Sequence, residues 1–396
     1  MSKKIKILQV LSHYLPAQSF GGVLQSAHAL SRALLAYDTE IRVCTGNMKT
    51  HTENLDLPTD KIVETDGVNV IYNDILYTPK QLRYWGVSKD YIRNLREQIL
   101  WSDIVVLHFH YQYVTWIAAL ICRYYGRPYI ICTHGSLNKR ALEAKGTWRK
   151  QIYLKLIEGR NFRQARYIAY QSEEERHYSI QSPRSIILPN GIEPKSFEPS
   201  PPKGILFEIY PQLKGKFIFL YLGRIDPNKG IDILVPAFAQ VHQAIPNSVL
   251  VIAGPDMHGY QAIVEQQISD LGIDKSVLFT GYIGGDTKLA ALQDSNAFIL
   301  PSRYEGLSMA MLEAIYHNLP VITTPYVGLS NRLKEEKAAL IVNLDVSELA
   351  DNMQRLIEDR EWAQQIAQRG QTLIKTQYRW ADIAKSFHDQ LHEIVS

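Results

Sequence analysis

The sequence predicts an α/β protein built from two doubly wound, parallel-sheet domains facing a cleft, and three observations carry that expectation. The order strand, short loop, helix, strand occurs at the N-terminus and again about half a chain later in the 396 residues. Apolar strand-like runs alternate with helical stretches through both halves. Between the halves lies "EPKSFEPSPPK", rich in proline and serine and without room for a core element. A βαβ unit builds a parallel sheet, and two such starts in a chain too long for one ordinary core imply two domains.

The elements follow in order. "KKIKILQVLS" is a buried-type strand, Gly21–Gly22 a loop that opens a helix, and "VLQSAHALSRALLA" that helix, with Val23, Ala27, Leu30 and Leu34 at helical spacing. "IRVCTG" closes the unit, and "DIVVLHFH", "PYIICTHG", "YIAYQS" and "SIILPNG" supply further strands. The second unit starts with "KGKFIFLYLG" and passes through the loop "RIDPNKG" to a helix carrying Ile231, Leu234, Phe238 and Val241. "SVLVIAG", "VLFTGYI", "AFILPS", "PVITT" and "AALIV" continue it. The final "QYRWADIAKSFHDQLHEIV" is an amphipathic helix with Trp380, Ile383, Phe387, Leu391 and Ile394 in one stripe. The expected boundaries are a first domain at 1–194, a linker at 195–203, a second domain at 204–377 and the last helix at 378–396.

Composition narrows the class. With 46% hydrophobic and 21% charged residues the chain has the apolar material for real cores, and a net charge of +3 is too slight to make nucleic acid a partner. Cys44, Cys122 and Cys132 fall in apolar stretches without paired spacing, which points to buried thiols in a reducing compartment. No apolar run approaches the ~18–20 residues that cross a bilayer. The basic start "MSKKIKILQVL" lacks a cleavable apolar core and reads as a strand. A soluble, cytoplasmic protein is expected.

Ligands of open α/β sheets bind beyond the carboxyl ends of the strands, so residues just after strands are the candidates. Arg224 and Lys229 follow the first strand of the second half, where Gly223 allows a tight exit. Two cations beside helix-terminal amides suit a phosphate or diphosphate; the alternative is a surface charge pair in a loop. Glu305 follows "AFILPS", and Gly306, Leu307 and Ser308 then lead into a helix. A carboxylate there suits sugar hydroxyls, which donate to ionised acceptors. Glu313 lies about 12 Å further on if the whole span is helical, a distance suited to two ends of one extended ligand. Its neighbours Met309, Met311, Leu312 and Ile315 are apolar, so it is either a helix-edge charge or points into a polar site. Asn318 and Pro320 should end that helix, Asn318 in the left-handed conformation. His134 follows "PYIICT" and precedes Gly135 and Ser136, and is a cleft residue or a structural histidine. His108 and His110 alternate along one strand and so share a face. With His134 they could hold a metal, but no cysteine or carboxylate spacing supports one, and no Asp-x-Asp occurs. Gly21–Gly22 is a weak phosphate signal, and G-x-G-x-x-G is absent.

Together these positions resemble the retaining glycosyltransferases of the GT-B-fold group called family 4, or glycosyl transferases group 1. The resemblance rests on Glu305-x7-Glu313 in "EGLSMAMLEA", on "PVITT", "GRIDPNKG", "LPNGI" and "THGS", and on the early "GG" loop, all in the expected order and covering essentially the whole chain. It implies that the last helix returns to the N-terminal domain. It also implies roles: Arg224 and Lys229 hold the donor diphosphate, Glu313 accepts from the ribose hydroxyls, and Glu305 accepts from the donor sugar. The amides of Gly306, Leu307 and Ser308 contact sugar and phosphate, His134 faces the donor sugar, and Gly21–Gly22 allows close approach to the diphosphate. "TGYIGG" covers the base, read by Ile283 largely through its backbone. Asn318 stands where the family usually has Gly, and Ser308 with Met309 where it often has a small or aromatic residue.

The resemblance further implies transfer of a hexose with retention, with no metal and no cofactor, from a nucleotide-sugar donor (UDP-hexose, UDP-glucose first) to a saccharide or lipid-linked acceptor. Bacterial envelope or exopolysaccharide synthesis is the expected setting. The basic stretch at 139–166, with Trp148, Ile152 and Leu156 on one face, is either a peripheral contact with the inner face of the membrane or a solvated helix packed on its own domain. A non-catalytic sugar-nucleotide-binding protein would lack Arg224, Lys229 or a glutamate, and a dinucleotide oxidoreductase would carry G-x-G-x-x-G. A sugar-nucleotide epimerase would need no acceptor.

Overall fold

Strand β1 (Ile5–Val10) lies at the middle of the first sheet and is buried on both faces. In the computed structural model, which describes residues 4–17, 21–50, 53–75, 87–88, 90–140, 158–256 and 259–395, it pairs in parallel with β2 (Thr39–Gly46) and β5 (Ile104–His108). Beyond β2 come β4 (Val68–Asn73) and the edge strand β3 (Ile62–Thr65). Beyond β5 come β6 (Tyr129–Cys132), β7 (Tyr167–Tyr170) and β8 (Ser185–Ile187). Successive side chains of β1 feed opposite faces. Ile5 and Ile7 pack with Leu30 and Leu34 of helix Gly22–Leu34, whereas Leu8 and Val10 pack with Leu95 and Ile99 of helix Tyr91–Trp101. In the first helix Leu24, not Val23, is buried.

The antiparallel pair β3–β4 was not anticipated, although its signal is local. Asp66 and Gly67 join the strands with φ of 47° and 80°, the two left-handed residues that a tight hairpin turn demands.

The chain divides into two units, Met1–Gly191 with Trp380–Ser396, and Ile192–Arg379. The last helix, Trp380–Val395, belongs to the first unit and buries Trp380, Ile383, Phe387 and Leu391 against the Ile5 and Leu34 face of the sheet. A Cβ on Gly191 would lie 2.7 Å from Ile383 Cδ1, so the glycine of "LPNGI" is what lets the helix seat there. The stretch expected as a bare linker proves otherwise. It begins with a 3-10 turn, Pro194–Phe197, whose Phe197 is buried with its ring 4.8 Å from Tyr316, so it contributes to the second core.

The second unit holds a parallel sheet in the order β11-β10-β9-β12-β13-β14. These are β9 (Phe217–Leu222), β10 (Ser248–Ala253), β11 (Val277–Gly281), β12 (Ala297–Leu300), β13 (Val321–Thr323) and β14 (Leu340–Ile341). β9, β10 and β12 are buried throughout, as a sheet covered on both faces requires. Ile231, Leu234, Phe238 and Val241 of helix Ile231–Ala244 cover it as predicted. No helix among the described residues is long and apolar enough to cross a membrane. The centre of the basic stretch, residues 141–157 with Trp148, Ile152 and Leu156, lies outside the described residues.

Candidate functional site

A doubly wound sheet opens a crevice where its strand order reverses. In the second unit the chain runs β9, β10, β11 toward one edge, then places β12 on the other side of β9. Gly223, Arg224 and Lys229 follow β9, and Ser302 to Ser308 follow β12. The predicted cations and Glu305 therefore share one crevice.

The two loops are closely joined. Gly230, at φ 70°, approaches Pro301 so nearly that a Cβ would lie 2.1 Å from its carbonyl oxygen. Asn228 Nδ2 donates to the Tyr304 carbonyl at 2.9 Å, and the Arg303 amide donates to the Asn228 carbonyl at 2.8 Å. Arg303 also donates to both carboxylate oxygens of Asp232, at 2.8 and 2.7 Å. Within this frame Lys229 Nζ stands 2.8 Å from Glu305 Oε2, with Lys229 buried and Glu305 partly so. Ser302 Oγ donates to the same oxygen at 3.3 Å. The Glu305 backbone is fixed from β13's side, its amide donating to the Tyr326 carbonyl at 3.1 Å. The pairing of Lys229 with Glu305 joins the two loops and is not visible in the sequence. Arg224 is exposed, and its carbonyl accepts from the Tyr221 hydroxyl at 2.7 Å. Burial first, and the Glu305 charge next, push the Tyr221 phenol well above its usual pKa.

Glu313 has its answer in a second lysine. The span from Glu305 is helical only from Met309: helix Met309–Tyr316 is capped by Ser308, whose hydroxyl accepts from the Met311 amide at 3.4 Å. Gly306 and Leu307 precede it, and Asn318 ends it at φ 62°, as its sequence implied. Glu313 is buried among Met311, Leu312, Ala314 and Ile315, and Lys288 Nζ, from helix Gly285–Asp294, lies 2.8 Å from its Oε1. Sequence reasoning missed Lys288, since "GGDTKLAALQD" looks like any helix start with a surface charge. Ile283 is nearly buried just before that helix.

In the first unit the reversal falls between β1 and β5. Gly21, at φ 86°, precedes helix Gly22–Leu34 on the β1 side. On the other side the expectation for the histidines needs correcting. β5 ends at His108, and Phe109 at φ 67° breaks the alternation, so His110 leaves the His108 face. His110 bonds the Ser136 hydroxyl at 2.9 Å, while His108 bonds His134.

His134, at φ 48° after β6, stands within a directional column of hydrogen bonds. Gln9 Nε2 donates to Ser31 Oγ at 2.8 Å, and its Oε1 accepts from His108 Nε2 at 2.9 Å. That leaves His108 Nδ1 as the acceptor for His134 Nε2, at 2.9 Å. His134 Nδ1 then accepts from Gln171 Nε2 at 3.2 Å, and the same amide donates to Asn190 Oδ1 at 2.8 Å. Both ring nitrogens of His134 are thus engaged, and a ligand would meet the ring or the main chain of the turn. Burial holds the His108 imidazole down at about 4, and burial with the neighbouring His108 holds His134 well below its usual value. Ligand atoms of His108, Cys132 and His134 lie within 4.8 Å of one another. As a metal centre the set fits poorly, because the two imidazoles bond each other and burial raises the Cys132 thiol to about 12.

A residue that sequence reasoning passed over anchors this turn. Glu175, fully buried, accepts from Thr133 Oγ1 at 2.5 Å, the Gly135 amide at 2.5 Å and the Gln171 amide at 2.6 Å. Burial raises its pKa against those three bonds. The signal was the capping spacing Ser172-x-x-Glu175, in which the Ser172 hydroxyl accepts from the Glu175 amide at 3.0 Å while the Glu175 carboxylate reaches back to the Gln171 amide.

Residues 203–373 match the family described as glycosyl transferases group 1, and residues 20–196 match glycosyltransferase family 4, so the two models together span most of the chain. A GDP-mannose-dependent alpha-(1-6)-phosphatidylinositol monomannoside mannosyltransferase of Mycobacterium tuberculosis is 28% identical over 212 residues, 52% of this chain and 54% of the relative. A UDP-Gal:alpha-D-GlcNAc-diphosphoundecaprenol alpha-1,3-galactosyltransferase of Escherichia coli is 29% identical over 178 residues, 44% of this chain and 45% of the relative. The chain spans about half the length of these curated relatives. The solved sucrose-phosphate synthase of Thermosynechococcus elongatus shares the fold, with a TM-score of 0.78 at 20% identity over 99% of both chains.

Proposed function

Since the chain belongs to the GT-B glycosyltransferases of the family 4 type, we propose that it moves a hexose from a nucleotide-sugar to a saccharide or lipid-linked acceptor, with retention and without metal. The observation that carries this reading is the Lys229–Glu305 pair at the reversal of the second sheet. A cation and a hydroxyl acceptor side by side are what the junction of a diphosphate and a sugar demands.

In this reading Arg224 and Lys229 hold the diphosphate and balance the charge that grows on it as it leaves. Glu305 accepts from the sugar hydroxyls and Glu313 from the ribose. Gly223, Gly306, Leu307 and Ser308 shape the crevice, with Ile283 at the base. The family resemblance assigns His134 and Gly21–Gly22 to donor binding as well. The anomeric carbon's bond to the phosphate oxygen breaks while its bond to the acceptor oxygen forms on the same face, and the leaving phosphate takes the acceptor's proton. Glu305, already paired with Lys229, suits a binding role better than a nucleophile's.

UDP-glucose is the first donor to test. The two relatives above are named for GDP-mannose and UDP-Gal, so the panel includes both bases. The acceptor is assigned to the first unit, in envelope or exopolysaccharide synthesis. The test incubates the protein without added metal with UDP-glucose, UDP-galactose, UDP-N-acetylglucosamine or GDP-mannose, and measures released nucleoside diphosphate. Release from one donor that Glu305→Ala abolishes supports the reading. Failure of every donor both to react and to bind overturns it.

A further inference from the structure

We propose that Lys288 governs how the second unit reads the ribose of its nucleotide, by holding the Glu313 carboxylate in place as an acceptor for the 2′- and 3′-hydroxyls. The inference rests on the ribose assignment of Glu313 made above and adds a positioning residue to it.

Four observations converge on Lys288. Glu313 projects from a helix whose neighbouring side chains are apolar and buried, and its own side chain is only 9% exposed. A carboxylate so placed requires a charged partner, and Lys288 supplies one from a different helix at 2.8 Å. The contact engages Oε1, and a carboxylate offers two oxygens with about four acceptor directions, so capacity remains for a pair of hydroxyl donors. Lys288 sits in the first turns of helix Gly285–Asp294, directly after Ile283, so one short segment joins base and ribose recognition.

The pair thus differs in purpose from Lys229–Glu305. There the crevice already contains Arg224 as a further cation, and the lysine itself is assigned to the phosphates. At Glu313 the lysine is assigned no ligand contact, and it acts through the carboxylate.

Calorimetric titration with UDP and GDP, and with the 2′,3′-dideoxy form of each, tests this. The variants are Lys288→Met, Lys288→Arg, Glu313→Gln and the Lys288→Met/Glu313→Gln double. Hydrogen bonds to a carboxylate predict that the wild type prefers the ribonucleotide by about ten-fold or more. Lys288→Met should erase most of that preference while leaving affinity for the dideoxy form within about three-fold, a difference below one hydrogen bond. Lys288→Arg should keep the preference, and the double variant should behave like either single one. Retained dideoxy binding shows that the variant is folded. Equal weakening of both forms would mean that Lys288 touches phosphate, and an unchanged preference would make it a bystander; either overturns the inference. A wild type that binds the diphosphates without ribose preference overturns the role of Glu313 along with it. A wild type that binds neither diphosphate overturns the nucleotide-sugar reading itself.

Discussion

Lys229 Nζ lies 2.8 Å from Glu305 Oε2, and the two residues come from loops after adjacent strands, β9 and β12. The contact therefore reports whether the reversal of the second sheet is correctly assembled. Lys229→Met leaves a partly buried carboxylate without its cation. After discounting for the solvent that reaches Glu305, the loss of stability is expected at about 1–3 kcal/mol. Glu305→Gln keeps the shape but leaves the more deeply buried Lys229 without its anion, so a similar cost of about 1–3 kcal/mol is expected, with turnover lowered by about two orders of magnitude. Thermal unfolding and initial rates on the same samples separate the two effects.

The histidine column predicts a pH dependence of stability. Burial depresses His108 to about 4 and His134 well below its ordinary value, while unfolded histidines titrate near 6.5. Above that value both states are neutral and the histidines add no slope. As pH falls below it the unfolded chain binds protons that the folded column refuses, so stability is lost progressively toward pH 4. For His108 alone the loss by pH 4 amounts to about 3 kcal/mol. Urea unfolding from pH 7.5 to 4 should show this slope, and His108→Gln should reduce it by the share of His108, about 3 kcal/mol, leaving what His134 and the likewise buried His110 contribute.

What was legible in the sequence was local. The stripe of Ile231, Leu234, Phe238 and Val241 and the stripe of Trp380 to Leu391 are set by helical period, and both faces are buried as predicted. The left-handed Asn318 follows from the proline after it and the helix before it. The Asp66–Gly67 hairpin was equally local and simply went unread. The partners of the charged groups could not be read in the same way. Lys288 reaches Glu313 across 25 residues, Thr133 reaches Glu175 across 42, and Gln9 reaches His108 across 99. Such pairs are chosen by the packing of strands and helices distant in the chain, and no periodicity encodes them. Phe197 was misjudged for the opposite reason, since one aromatic in a proline-rich stretch outweighed its composition.

Glu175 should act on activity through the turn that carries His134. Its carboxylate accepts from Thr133, Gly135 and Gln171, and His134 is held at a positive φ between the first two. Glu175→Ala strands three donors and is expected to cost about 3 kcal/mol or more. Glu175→Gln keeps the size but replaces one acceptor with a donor, and is expected to destabilise by about 1–2 kcal/mol. If the turn positions the donor sugar, Glu175→Gln lowers kcat by a larger factor than it raises KM. A purely structural role would instead lower the amount of folded enzyme and leave both constants of the folded fraction unchanged.

The last helix offers a test of the first unit that leaves the second aside. Phe387 is 1% exposed and packs in the cluster that includes Ile5, Ile7, Leu30 and Leu34, so the chain's final segment completes a core begun by its first strand. Phe387→Ala removes most of a buried ring and is expected to cost about 3–5 kcal/mol, the usual range for such a cavity. Because the helix belongs to the first unit, the damage should stay there. Hydrogen exchange should rise in β1 and in helix Gly22–Leu34, while β9 and β12 keep their protection. UDP affinity, which the reading above assigns chiefly to Arg224, Lys229 and Glu313, should fall far less than transferase activity. Equal loss of protection in both sheets would show instead that the two units unfold as one.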